Sequence, residues 1–168
     1  MNSLIQQVKR TPVTIEFLRS RVPRGVKVID YRRLPAQRSK LFENEKPVIV
    51  LIPKKDQKLG HFVCLVPWKR SIEYFSSLGN SPTTELEMLD EAKEKMMRIL
   101  GNNYTYNRVA LQQTKYTVQD CASWCIARVM FGELKLREFL SLFRRNVVLR
   151  SKDDVVSFLT LLVMKNKL

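Results

Sequence analysis

The chain has 168 residues, of which 45% are hydrophobic, and a net charge of +14 from 30 basic and 16 acidic side chains. That length suits one domain, and the hydrophobic share excludes a chain too polar to build a core. No apolar run reaches the roughly 18 residues of a membrane span, and the start, MNSLIQQVKR, lacks a secretion signal's apolar stretch, so neither insertion nor export is expected.

The predicted elements alternate in type along the chain. Thr11-Pro12 reads as a helix start, with an apolar face of Ile15, Phe17 and Leu18 and a stop at Val22-Pro23. Residues 24–46 are basic and irregular, with strand content at Val26–Tyr31, and read as a surface arm. PVIVLIP (47–53) is a buried strand by its run of β-branched residues, and KKDQKLG a turn. HFVCLVPW (61–68) is a second strand, with His61, Val63 and Leu65 on one face and Phe62, Cys64 and Val66 on the other. Ser71–Phe75 is a third. Thr84-Glu85-Leu86-Glu87 has the capping-box pattern and opens a helix to about Leu100, closed by Gly101-Asn102. Tyr104–Leu111 is a fourth strand. Helices follow at Cys121–Met130, Leu136–Phe143 and Ser151 to about Met164. This order predicts an α+β fold in a single domain, with a small mixed central sheet packed by a central helix. The domain spans 1–168, divided into a basic N-terminal segment with a short helix (1–46) and a core (47–168).

Three cysteines, Cys64, Cys121 and Cys125, do not form a paired disulfide framework, so free thiols in a reducing compartment are expected. With one histidine they also make a poor zinc set. Cys121 stands out because polar Gln119-Asp120 precede it and an apolar helix follows. A thiol at a helix N-terminus meets unpaired N–H groups that favour the thiolate. A nucleophilic thiol needs a base, and His61 is the chain's single histidine. Cys125, four residues on, reads as a buried small hydrophobe.

The basic excess is uneven: residues 1–60 hold 14 Lys/Arg against 5 Asp/Glu, residues 61–100 hold 5 against 6, and residues 101–168 hold 11 against 5. A balance of that kind predicts sequence-independent attraction to nucleic acid through phosphate contacts, against the plainer reading of a solvated basic surface. No recognised nucleic-acid-binding module is present.

Together, GHFVCLVPW, SIEYFSSLG and YNRVALQQTKYTVQDCASWC resemble the adenovirus-type and ubiquitin-like-protease clan of cysteine peptidases, in particular its viral branch of maturation proteases from adenoviruses, virophages and polinton-type elements. The resemblance runs from about Pro47 to Phe143. It implies His61 as general base, Cys121 as nucleophile and an upstream glutamine as oxyanion donor beside the Cys121 backbone N–H. Gln113 is the choice for that donor, Gln112 the alternative, and Gln119 stands too close to Cys121. Phe62 replaces the family's Trp, and Ala122 its Gly after the nucleophile. Ser76 occupies the position of the acid that orients the imidazole. A serine can accept the ring N–H but brings no charge, so a weaker Cys–His dyad, another acid or loss of activity are the open alternatives. Glu73, on the opposite face of its strand, is a poor replacement.

The resemblance implies a thiol endopeptidase acting on viral precursor proteins inside the virion and the infected cell, with no required cofactor and DNA as a candidate tether or activator. A monomer with no membrane partner is expected. Two alternatives are a ubiquitin- or SUMO-like deconjugating peptidase, and a basic DNA-associated virion protein with a decayed site.

Overall fold

Period-two alternation of apolar residues divides the sheet into two buried faces. The computed structural model describes residues 13–54, 60–112, 120–143 and 152–165. Within them lie strands β1 (Lys27–Asp30), β2 (Val48–Pro53), β3 (Gly60–Pro67), β4 (Ile72–Phe75) and β5 (Tyr104–Tyr106), joined in that order into one five-stranded mixed sheet. β3 pairs antiparallel with β2 and β4, while the outer pairs β1–β2 and β4–β5 are parallel. Parallel neighbours need crossovers. These carry α2 (Arg38–Leu41) between β1 and β2, and α3 (Pro82–Met88) and α4 (Glu94–Leu100) between β4 and β5. The remaining helices are α1 (Ile15–Arg21), α5 (Cys121–Met130), α6 (Leu136–Ser141) and α7 (Lys152–Lys165).

One core joins Val48, Val50, Ile52, Val63, Leu65, Ile72 and Tyr74 of the sheet to Leu86 of α3 and Met96, Ile99 and Leu100 of α4. The other joins Ile49, Phe62, Cys64, Val66 and Phe75 to α5, with Leu18 of α1, Phe139 of α6 and Val156 of α7 around it. The result is an α+β single-domain fold with helices on both sheet faces. No helix among the described residues is long and apolar enough to cross a membrane.

Local differences from the sequence reading have identifiable causes. Thr14 caps α1, its side chain accepting from the Phe17 N–H; Thr11 and Pro12 lie outside the described residues. Residues 24–46 are not a detached arm. Val28 pairs with Ile49 across β1–β2, and Tyr31, Leu34 and Leu41 are buried in the core. Those apolar residues outweigh the segment's charge. The helix expected to run from Thr84 to Leu100 is two helices. Ser81 is the cap, accepting from the Thr84 N–H with Pro82 in the first turn, and Asp90 at φ 56° separates α3 from α4. Gly101 does close α4, at φ 67°. β5 ends at Tyr106 instead of Leu111.

Glu73, on the α5 side of β4, is 1% exposed and receives both Nε (2.7 Å) and Nη2 (2.9 Å) of Arg128. The same guanidinium donates to the carbonyls of Phe131 and Leu134. Trp124 Nε1 donates to Asp153 Oδ1 at 2.9 Å, tying α5 to α7. The helix that carries Cys121 is therefore fixed by buried polar bonds on two sides as well as by packing.

Candidate active site

Gly60 opens β3 where a side chain has no room. A Cβ there would meet the Ile52 carbonyl oxygen at 2.5 Å. The next residue, His61, is 7% exposed and stands on the α3 side at the end of the strand. The antiparallel register of β3 with β4 brings residue 76, just past β4, to the same end of the sheet. Cys121, the first residue of α5, reaches it from the other face and is 9% exposed.

His61, Ser76 and Cys121 are brought together. The Ser76 Oγ lies 3.2 Å from His61 Nε2. Ser76 is fully buried, and Asn107 holds its backbone at both ends: Oδ1 accepts from the Ser76 N–H at 2.9 Å and Nδ2 donates to the Ser76 carbonyl at 2.6 Å. Gly79, at φ 75°, turns the chain against the backbone of Val109, where a Cβ would come within 2.6 Å. The Ser76 turn and residues 107–110 are thus clasped together.

A fourth group completes the cluster. Glu85 Oε1 lies 3.2 Å from the same His61 Nε2, and the Tyr74 hydroxyl donates to Glu85 Oε2 at 3.1 Å. Glu85 is 2% exposed. Burial holds the Tyr74 hydroxyl well above its ordinary pKa, and the Glu85 charge pushes it further, so it remains a donor. The alternative that another acid takes part at the imidazole is the one the geometry favours. That acid is Glu85 and not Glu73, whose carboxylate is committed to Arg128. The sequence reading placed Glu85 inside a capping pattern. Its chemistry became visible only with the Ser81-Pro82 helix start, which turns Glu85 inward beside Leu86.

Cys121 is hydrogen-bonded to the same imidazole. Burial disfavours imidazolium, but the Cys121 thiolate, the hydrogen bond to it and the Glu85 charge together raise the His61 pKa above its ordinary value. Burial likewise disfavours the Cys121 thiolate, yet the His61 charge and hydrogen bond, with the backbone N–H groups of Phe62 and Ala122, lower the thiol below its ordinary value. The two shifts favour a thiolate–imidazolium pair. The other thiols go the opposite way: burial pushes Cys64 up to about 12 and Cys125 well above the ordinary thiol.

Phe62 and Ala122, the two departures nearest the pair, are 4% and 1% exposed and belong to the α5 core. Gln113, the expected oxyanion donor, and Gln119 lie outside the described residues. Gln112 is described: its Oε1 accepts from the Ser77 hydroxyl at 2.8 Å and its N–H donates to the Ser77 carbonyl at 3.0 Å. Among the described residues no cluster of His, Cys, Asp and Glu could hold a metal.

Compared with known proteins, the chain matches no family model and no curated protein.

Proposed function

We propose that the chain is a cysteine endopeptidase acting by thiol acyl transfer. The observation that carries this reading is the cluster of buried groups in which His61 meets Cys121, Glu85 and Ser76.

In the proposed reaction the Cys121 thiolate attacks the scissile carbonyl carbon. The backbone N–H of Cys121, at the first position of α5, has no intrahelical partner and donates to the developing oxyanion. Gln113 is the second donor that the resemblance implies. Imidazolium His61 passes its proton to the leaving amine as the C–N bond breaks, leaving a thioester. Neutral His61 then takes a proton from water, hydroxide adds to the thioester, and collapse releases the acid and regenerates thiolate and imidazolium. Glu85 offsets the positive charge on the ring whenever it is protonated, which a serine alone would not do. A charged partner at the imidazole supports an intact site over a decayed one.

The motif order supports the viral maturation branch, hence precursor proteins of a virion as substrates and the virion and infected cell as the place of action. The net charge of +14 supports DNA as a tether. The deciding experiment is cleavage of a precursor-derived polypeptide by the purified chain. Thiol-dependent hydrolysis that Cys121→Ala and His61→Ala both eliminate supports the reading; hydrolysis surviving either change overturns it.

A further inference from the structure

At the far end of β3 and β4 from His61, the Trp68–Ser71 turn, Thr105 of β5 and helix α6 enclose a groove of about 900 Å³. The rise of a strand, ~3.3 Å per residue, puts it roughly 20 Å from the imidazole. The turn is tight, with the Trp68 N–H donating to the Ser71 carbonyl at 2.9 Å and the Ser71 N–H to the Trp68 carbonyl at 3.4 Å. Half-buried Trp68, Leu136 and Leu140 form an apolar wall. Lys69 and Arg70 at the tip of the turn, and Lys135 and Arg137 around the start of α6, form its rim. All four cations are exposed, and none of the ion pairs among the described residues engages them. Glu73, the acid lining the groove, is already neutralised by Arg128.

We propose that this groove docks an acidic protein segment with an apolar side chain at its centre. The rim carries four cations outside any described ion pair against one nearby carboxylate, Glu138, which accepts from the Lys135 N–H, so the occupant is an anion. The wall behind it is apolar, so the occupant also buries a non-polar group there. A nucleic-acid base would find one aromatic face, Trp68, to stack on, but its polar edges would lie against Leu136 and Leu140 without hydrogen-bond partners. A peptide meets both demands with neighbouring residues, the carboxylates reaching the rim and an aliphatic side chain the wall. This inference does not rest on the hydrolase reading: the groove shares no side chain with the His61 site.

The test uses the full chain as Cys121→Ala, so that no probe is cut. A short fluorescent peptide of Asp, Glu and Ser with two central leucines is titrated by anisotropy. Its companions are the same peptide with serines for the leucines, and a single-stranded oligonucleotide. The leucine peptide is expected to bind. Reversing two rim charges, as Arg70→Glu with Arg137→Glu, is expected to weaken it at least about tenfold while leaving circular dichroism unchanged. The serine peptide is expected to bind more weakly than the leucine peptide. Absence of binding, equal binding of the two peptides, or binding indifferent to the rim variant overturns the proposal. So does an oligonucleotide that binds tighter than the peptide and depends on the same two arginines.

Discussion

Glu85 Oε1 sits 3.2 Å from Nε2 of His61, although 24 residues and a change of secondary structure separate them. The carboxylate comes down from the first turn of α3 onto the end of β3, held from behind by the Tyr74 hydroxyl. This places a buried carboxylate against the imidazole to which Cys121 is also hydrogen-bonded.

Glu85→Gln is therefore expected to change the pH–rate profile. The Glu85 charge helps raise the His61 pKa, so its removal lets that pKa fall and imidazolium is lost at lower pH. The alkaline limb should move toward acid, narrowing the active range, with a loss of about 10²-fold in kcat, the lower end for a positioned acid–base group. An unmoved alkaline limb in a folded variant removes Glu85 from this role.

Ser76 contributes a neutral contact. Ser76→Ala is expected to cost under about tenfold in kcat/KM, in line with one neutral hydrogen bond. Ser76→Asp is not expected to help. It would set a second carboxylate beside Glu85, and like charges at one site force one of them to hold a proton. An activity gain in Ser76→Asp would count against Glu85 as the charged partner of the imidazole.

The three thiols should separate by reactivity. Alkylation by iodoacetamide near neutral pH is expected to modify Cys121 first, because its thiol is lowered while Cys64 is pushed up to about 12 and Cys125 well above the ordinary value. Peptide mapping by mass spectrometry reads the outcome. His61→Ala should slow the Cys121 reaction at that pH by removing the cation that favours its thiolate. Equal labelling of all three sites in the native protein would contradict the assignment.

The buried pair Glu73–Arg128 is a structural expectation. Arg128→Met leaves Glu73 without its cation and the carbonyls of Phe131 and Leu134 without a shared donor. A loss of about 3–5 kcal/mol is expected, as for one partner removed from a buried ion pair, read by urea denaturation. Replacing both members with apolar residues should recover part of it.

Binding to random-sequence duplex DNA should weaken steeply as salt rises, because the term that drives it is phosphate contact and counterion release. Titration at two salt concentrations checks it. No binding at low salt removes nucleic acid as a partner.

The strands, the central helix and the His61–Cys121 pair were legible because their signals are local. Alternation assigned both faces of β3, and Cys121 opens α5 at the position that the polar-to-apolar change at Asp120 indicates. Ser76 was reached through the motif resemblance, as the position of the acid that orients the imidazole. Glu85 was not legible because its role depends on how the β4–β5 crossover folds back over the sheet, a non-local property. The competing capping pattern at Thr84 obscured the Ser81-Pro82 start that turns Glu85 inward. The 24–46 segment was misread for a similar reason: its charges are exposed, but Val28, Tyr31, Leu34 and Leu41 decide where its backbone goes.

His61 and Cys121 come from opposite sides of the sheet. The histidine shares a face with Val63 and Leu65, over the α3–α4 core, while the cysteine heads the helix that fills the other core. The reactive pair thus behaves as a coincidence detector, since neither half of the molecule can assemble it alone. On the proposed hydrolase reading, a chain emerging from synthesis, or one whose α3–α4 layer has loosened, carries an ordinary thiol and lacks the proposed activity. The lowered thiol is thereby conditional on complete folding. In a denaturant titration, preferential labelling of Cys121 should vanish with whichever core opens first, even while the other keeps its secondary structure.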